Sequence, residues 1–305
     1  MISVVRLTNG SIVVLSRPRS LRKDGRHAGI HSAASWDALE HHEPAQLLPI
    51  DQLYAKSAQI YGLPAFRYGD MYVGFLTRMR CAPKDCKWFG GHLSGELAYS
   101  HDGLTWQRLG QQTAPTDDQL DLGDTPDAVI FPNRPGTVMA GQIYATSMQP
   151  TRNGTGLLIY ASVAAVQHGH GVDSTTENAS CARDGTAPCS HIATFGLRKD
   201  GFVGLRQATL ATMANIKAVP IIWGDTGDLR LNFAGPGSIR VAVLSSVGVA
   251  IAGYNMSFFA GAIDTAAFPD GRMAKLARQE LVLEVTLDGG AVLYSLRGDF
   301  RVKGL

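Results

Sequence analysis

The sequence predicts an all-β fold in which the blades of a β-propeller are followed by an antiparallel β-sandwich. Short alternating runs recur along the first part of the chain, helical periodicity is nearly absent, and closely spaced strands follow from about residue 221. Glycine is abundant, at 34 of 305 residues, as expected for a chain with many tight turns. We assign residues 1–215 to the propeller and residues 216–305 to the sandwich.

A hairpin unit carries the propeller prediction. In GELAYSHDGLTWQRLG (95–110), alternating residues lead to a turn at Asp102-Gly103, and the unit ends on Trp106 and a cation. AFRYGDMYVGFLTRM (65–79) shows two similar runs joined at Gly69-Asp70. Comparable units at about residues 1–50, 51–115 and 120–210 resemble propeller blades in their order of strands and turns.

The third unit contains HIATFGLRKDGFVGLRQA (191–208), with a second Asp-Gly turn. We expect Asp200-Gly201 to be equivalent to Asp102-Gly103 as an outer turn. We also expect Trp106 and Phe202 to pack between neighbouring blades.

The last third of the chain has a different texture. GDLRLNFAGPGSIRVAVLSSVGVAIAGYNMSFFAGAID indicates three or four strands separated by Gly and Pro turns. One short helix is expected in MAKLARQEL (273–281), and two further strands flank Asp288-Gly289. This pattern predicts the sandwich.

Charge and hydropathy exclude several classes of function. The formal net charge is +2 with 18% charged residues, and no basic run indicates a nucleic acid or membrane surface as partner. No apolar stretch reaches the roughly 18 residues that a membrane span requires. We find no phosphate-binding glycine motif, nucleophile elbow or cofactor fingerprint, and we expect no cofactor.

Cysteines and glycosylation sequons favour a secreted protein. The four cysteines form two close pairs whose spacing suits local disulfides better than zinc knuckles, with free thiols as the alternative. The expected bridges and glycosylation sites are Cys81–Cys86, Cys181–Cys189, Asn153, Asn178 and Asn255. The N-terminal MISVVRLTNGSIVVLS is no signal peptide and reads as strand, turn and strand, so the chain is expected to begin inside a domain.

Several segments together resemble known enzymes. IYGLPAFRYGDMYVGFL, GELAYSHDGLTWQR, ATFGLRKDGFVGL, GDLRLNFAGPGSIRVAVL and AVLYSLRGDF occur in the order found in proteins similar to glycoside hydrolase families 32 and 43. Those proteins have a five-bladed propeller followed by a β-sandwich. The resemblance implies a carbohydrate site at the propeller axis, with two aspartates and a glutamate on the innermost strands of successive blades.

This chain departs from that pattern in its number of blades. Only three units can be counted, and the blade that would carry the first catalytic aspartate would precede residue 1. We therefore expect a fragment, a reduced homologue, or a number of blades higher than the three counted.

Glycosidic hydrolysis requires two carboxyl groups, about 5 Å apart for retention and roughly 6.5–9.5 Å apart for inversion. The catalytic candidates are Asp51, Asp127 and Glu96, of which the two aspartates directly precede apolar strand patterns. The alternatives are an acidic turn for Asp121, Asp124 and Asp127, and a solvated surface position for Glu96 on a middle or outer strand.

Further residues are candidates for carbohydrate binding, because aromatic rings stack on sugars and arginine donates paired hydrogen bonds. They are Tyr61, Arg78, Trp88 and Asp124. The histidines of EHHEP (40–44) and QHGHGVD (167–173) offer metal ligands together with Asp173, but their glycines favour a solvated loop beside the site. We expect no metal. Two functions remain open: a glycosidase, and a non-catalytic carbohydrate-binding or structural protein on the same scaffold.

Overall fold

The computed structural model describes residues 3–16, 29–36, 45–46, 58–80, 91–108, 129–131, 137–166, 168 and 190–303. These residues form strands and one short 3-10 helix, with no α-helix among them. None of their helical segments is long and apolar enough to cross a membrane. The prediction of an all-β chain is confirmed.

The chain divides into two compact units. The first comprises residues 1–149 and 158–195, and the second comprises residues 150–157 and 196–305. The predicted limits of a propeller at 1–215 and a sandwich at 216–305 stay predictions, as does the arrangement of blades around an axis.

The first unit begins with a four-stranded antiparallel meander in sequence order. Its strands are β1 (Ser3–Arg6), β2 (Ile12–Ser16), β3 (Gly29–Ala33) and β4 (Ala45–Gln46). In β2, the apolar residues of the IVVLS sequence are mostly buried, as expected for a strand that packs against a core.

A nine-stranded sheet follows, in which the central path runs β13-β12-β11-β8-β7-β5. Strand β6 pairs with β7, while β9 and β10 pair with β8. The strands are β5 (Ala58–Gly62), β6 (Ala65–Tyr68), β7 (Met71–Arg80), β8 (His92–Ser100), β9 (Gln107–Arg108), β10 (Val129–Phe131), β11 (Gln142–Pro150), β12 (Gly156–Ala164) and β13 (Ser190–Arg198).

Two details of this sheet bear on the predicted repeat. The hairpin expected at Gly69-Asp70 is present, because Tyr68 pairs with Met71 across it and Gly69 has a φ of +60°. The second and third repeat units, however, belong to one sheet. Strand β11 adds to β8 in parallel at Gln142 and Leu93, so these two units are not separate sheets.

Trp106 lies in the core between the four-stranded meander and strands β6 to β8. It is 3% exposed and clusters with Val5 and Leu15 of the meander and with Leu76 of β7. Its indole Nε1 donates to the Gly103 carbonyl at 3.1 Å. The predicted burial of Trp106 is confirmed, and its place between propeller blades stays a prediction.

The second unit consists of two mainly antiparallel sheets that share one hydrophobic core. One has the order β14-β22-β17-β20, and the other has the order β19-β18-β21-β16-β23 with β15 added to β21. The strands are β14 (Leu205–Arg206), β15 (Ala214–Lys217), β16 (Ile221–Trp223), β17 (Arg230–Ala234), β18 (Ser238–Ser245), β19 (Ala250–Phe259), β20 (Ala262–Ala266), β21 (Glu280–Asp288), β22 (Val292–Arg297) and β23 (Phe300–Val302).

Large side chains from both sheets fill this core. Trp223, Phe233 and Phe268 are at most 1% exposed, and Leu293 and Leu283 pack in the same cluster. Two packed sheets that share such a core are the arrangement predicted for the C-terminal region. The expected short helix is the 3-10 helix Arg272–Leu276.

The GPG turn before β18 requires glycine for a steric reason. A Cβ atom at Gly237 would lie 1.7 Å from the Asp288 carbonyl oxygen, and Gly235 has a φ of +99°. Larger residues at these positions would force the ends of β18 and β21 apart.

Candidate functional site

The pairing of β7, β8 and β9 brings three charged side chains together. Leu76 pairs with Glu96, Arg78 with Ser94, and Ala98 with Arg108. Because directly paired residues point to the same face of an antiparallel sheet, Arg78, Glu96 and Arg108 lie side by side. We call these three residues the ion triad.

Glu96 is the centre of the ion triad. Arg78 Nη1 lies 2.9 Å from Glu96 Oε1, while Nε of Arg108 donates to Glu96 Oε2 at 2.8 Å. Arg108 Nη2 also donates to Oε2. Glu96 is 0% exposed and Arg78 is 4% exposed. Both carboxylate oxygens therefore contact guanidinium groups, and a substrate oxygen would have to displace an arginine to reach Glu96.

The alternative of a solvated surface position for Glu96 is wrong, since this residue is fully buried. Alternation in β8 indicated one polar face, but the strand lies inside the sheet and is buried on both faces. The carboxylate is tolerated there because two arginines compensate its charge, whereas an unpaired buried charge is very costly. Arg108 was not identified from the sequence, although its place just after Trp106 sets it beside Glu96 once β9 pairs with β8.

The opposite face of β7 and β8 carries an aromatic cluster. Met79 and Leu93 pair across the two strands, and Tyr61 and Tyr144 pack against them. The ring centroid of Tyr61 lies 5.9 Å from that of Tyr144 and 4.7 Å from that of His168, in edge-on arrangements. We call Tyr61, Tyr144 and His168 the aromatic cluster.

The position of His168 is fixed through its backbone. Its amide donates to the Gly91 carbonyl at 2.8 Å, and its carbonyl accepts from the Gly91 amide at 3.0 Å. Tyr61, Tyr144 and His168 are each half-buried, so part of every ring is accessible. Partly exposed aromatic rings with polar tips are typical of sites that bind sugar faces.

The sequence pointed to part of this cluster. Tyr61 was a candidate for substrate binding, and the structure places it against His168, which was expected to lie in a loop beside the site. Tyr144 was missed, because in GQIYATSM it looks like any residue of an alternating strand. Only the parallel addition of β11 to β8 brings it to Tyr61.

The turn at Asp102 has the expected local role. Its carboxylate accepts hydrogen bonds from the amides of Leu104 and Thr105 and from the hydroxyls of Ser100 and Thr105. Burial is the largest contribution and raises the pKa of Asp102, but these hydrogen bonds together lower it to about 2. Asp102 therefore stabilises its own turn as a carboxylate.

The expected equivalence of Asp200-Gly201 with this turn is wrong. At Asp102-Gly103 the glycine has the positive φ, +75°, whereas at Asp200 the aspartate itself has a φ of +57°. Asp200 Oδ2 accepts from Ser295 Oγ at 2.6 Å, so its carboxylate bonds to a distant strand. Phe202 is half-buried in the second unit.

The other predicted positions divide into exposed and undescribed residues. Asn153 and Asn255 are exposed, in keeping with their predicted glycosylation, which stays a prediction. Among the described residues no three His, Cys, Asp or Glu side chains are grouped as metal ligands. The following lie outside the described residues: Asp51, Asp121, Asp124, Asp127, Trp88, Cys81, Cys86, Cys181, Cys189, Asn178 and Asp173.

Comparison with known proteins gives distant structural similarities only. No protein-family model matches the chain, and no curated protein matches it. A glycoside hydrolase family 43 arabinoxylan arabinofuranohydrolase from Bacillus subtilis, solved in complex with cellotetraose, aligns with 98% of this chain and 66% of its own, just under two thirds, at 11% identity and a TM-score of 0.30.

Two further structures align to a similar extent. A family 32 β-fructofuranosidase of Bombyx mori aligns with 98% of this chain and 79% of its own, at 11% identity and a TM-score of 0.28. A protein described as a glycoside hydrolase aligns with 98% of this chain and 70% of its own, at 9% identity and a TM-score of 0.30. These TM-scores are low, and the proposals below rest on the residues of this chain.

Proposed function

We propose that this protein is a secreted carbohydrate-active protein, a glycosidase that hydrolyses a furanoside or a polysaccharide. The observation that carries the proposal is the aromatic cluster, in which the predicted sugar-binding residue Tyr61 meets Tyr144 and His168, each of them half-buried. The order of the resembling segments in the sequence supports the same class. Secretion, the two disulfides and the five-bladed propeller belong to the proposal as predictions.

In this proposal Asp51 and Asp127 form the catalytic pair. One carboxyl group donates a proton to the leaving glycosidic oxygen, and the other acts as nucleophile or activates a water molecule. The proposed mechanism requires no cofactor. Trp88 and Asp124 would extend the binding surface begun by Tyr61. The ion triad would hold β7, β8 and β9 in register, so Glu96 and Arg78 would support the site and not contact the sugar.

Hydrolysis of a panel of furanosides, pyranosides and polysaccharides tests the catalytic pair. Asp51→Asn and Asp127→Asn should each lower turnover by at least about a hundredfold, because the amide keeps the shape but cannot transfer the proton. Asp288→Asn is the matched control, since Asp288 is an exposed residue at the end of β21, and it should leave turnover unchanged. Wild-type turnover in both active-site variants would exclude Asp51 and Asp127 as the pair.

A non-catalytic carbohydrate-binding protein is the second candidate function. The state of Glu96 favours it, because this carboxylate has both oxygens occupied by arginines and offers no oxygen to a glycosidic bond. On this alternative the wild type binds oligosaccharides but releases no product from any substrate of the panel.

A further inference from the structure

A group of cations lies on the four-stranded sheet of the second unit, on the face directed away from the core. Leu231 and Phe233 of β17 point into the core, so the alternation of the strand directs Arg230 and Asn232 to the other face. Arg297 of β22 pairs directly with Arg230 and shares that face. The last residue of β13, Arg198, and the first residue of the following turn, Lys199, complete the group. We call Arg198, Lys199, Arg230 and Arg297 the cation cluster.

Three members of the cation cluster share a single carboxylate. Asp264 receives Lys199 Nζ at 3.0 Å, Arg230 Nε at 2.9 Å and Arg297 Nη2 at 2.5 Å. Burial is the largest contribution and raises the pKa of Asp264, but hydrogen bonds from Lys199 and Arg230 and the charge of Arg297 lower it to about 2. Asp264 is therefore ionised at neutral pH and neutralises one of these three charges.

The fourth cation is held by neutral groups. Arg198 Nη2 donates to the carbonyls of Phe233 at 3.0 Å and Ala262 at 3.3 Å and to the Asn232 side chain. Its guanidinium carbon lies 4.3 Å from the ring centroid of Tyr294. In the described part of the chain, Arg198 forms no ion pair with a carboxylate.

Among the described residues, the charges of this cluster add up to an excess of positive charge. The four cations face two carboxylates, Asp264 and Asp200, the latter 3.5 Å from Arg297 Nε. The excess is accessible, because the side chains of Arg230 and Arg297 are 45% and 40% exposed. Within the described residues, Nη1 of both arginines makes no hydrogen bond, so each guanidinium retains donors for a further acceptor.

The backbone holds this arrangement in an unusual conformation. Asp264 has a φ of +58° and Asp200 a φ of +57°, in the left-handed region that non-glycine residues rarely occupy. Such positions cost free energy and are concentrated at functional sites. Here both bring a carboxylate to the arginines.

We propose that the cation cluster binds an anionic group of a carbohydrate, either the carboxylate of an acidic sugar or the sulfate of a sulfated one. The proposal rests on the proposed carbohydrate function and names a substrate class for it. Arginine suits both groups, because its planar donors match paired acceptor oxygens and its charge persists at every relevant pH.

Affinity electrophoresis of the full chain tests the proposal. Gels contain polygalacturonate, dextran sulfate or unmodified dextran, and retardation is measured at increasing salt concentration. We expect at least one of the two anionic polymers to retard the protein, and this retardation should diminish as the salt concentration rises. The cation cluster should contribute nothing to any retardation by unmodified dextran. The polymer that retards the protein more strongly identifies the group as a carboxylate or a sulfate.

The variant Arg230→Gln/Arg297→Gln should weaken this retardation by about tenfold or more, because two charge-assisted contacts are lost. The control Lys275→Gln/Arg278→Gln removes the same charge from exposed positions elsewhere in the second unit and should have little effect. Equal losses in the two double variants, or no retardation of the wild type by either anionic polymer, would overturn the proposal.

Separate controls distinguish a loss of anion binding from misfolding and from failure of the proposed function. If the arginine double variant melts at a lower temperature than the wild type, retardation is measured for Lys199→Gln instead. This single variant changes the same site, since Lys199 contacts Asp264 from the turn. Hydrolysis or binding of neutral oligosaccharides should be unchanged in all these variants. A negative result for the cation cluster would thus not contradict the proposed function. Loss of hydrolysis in Asp51→Asn would likewise not contradict anion binding by the cation cluster.

Discussion

Glu96 is the residue whose environment differs most from its sequence pattern. It lies fully buried between Arg78 and Arg108, and removing its charge leaves two cations without their shared partner. Breaking a buried ion pair from one side costs about 3–5 kcal/mol, even though the intact pair contributes little net stability. Glu96 therefore specifies the register of the strands around it.

We predict that Glu96→Gln lowers the free energy of unfolding by about 3–5 kcal/mol, measured by urea denaturation. Glu280→Gln is the control, because Glu280 pairs with Lys303 at the surface and should lose no more than about 1 kcal/mol. A Glu96 variant as stable as the control variant would mean that the ion triad does not hold β7, β8 and β9 together.

The sequence could indicate Glu96 as a candidate functional residue, but it could not indicate that Arg78 and Arg108 are its partners. Its neighbours come from β7 and β9, and only the register of both pairings brings them within hydrogen-bond distance. Asp200 shows the same limit. Its Asp-Gly sequence matches that of Asp102-Gly103, but contacts with β17 and β22 select a different backbone conformation. Local sequence sets the choices at a turn, and tertiary contacts decide among them.

Among the elements, the hairpins were the most predictable from sequence. The Gly69-Asp70 turn joins β6 to β7, and Asp102 begins the turn between β8 and β9, because both signals act over a few residues. The parallel addition of β11 to β8 was not predictable, since no local pattern specifies which distant strand completes a sheet edge. The aromatic cluster depends on that addition.

The packing of Trp106 tests the contact between the four-stranded meander and strands β6 to β8. Trp106→Ala should cost about 3–5 kcal/mol of unfolding free energy, because it removes a large aromatic side chain from a core shared with Val5 and Leu15. Trp36→Ala is the matched control, since Trp36 is 60% exposed and should change stability by less than about 0.5 kcal/mol. Similar losses in the two variants would show that this core does not join the four-stranded meander to strands β6 to β8.

At the scale of the whole molecule, the chain combines two units with different polar features. The first carries the ion triad and the aromatic cluster, and the second carries the cation cluster on a sheet that is otherwise packed against an apolar core. A formal net charge of +2 conceals this distribution, because the cations are concentrated around Asp264. Composition predicted no nucleic-acid partner, but it could not locate the cation cluster.

Carbohydrate recognition by the aromatic cluster is the central claim, and calorimetric titration with neutral oligosaccharides tests it most directly. The wild type should bind at least one furanoside or pyranoside oligosaccharide, and Tyr61→Ala should weaken that binding by about tenfold, as loss of an aromatic anchor does. Tyr99→Ala is the control, because Tyr99 also packs beside a histidine, His101, but lies near the other end of β8. Unchanged affinity in Tyr61→Ala, or no binding by the wild type, would contradict the account.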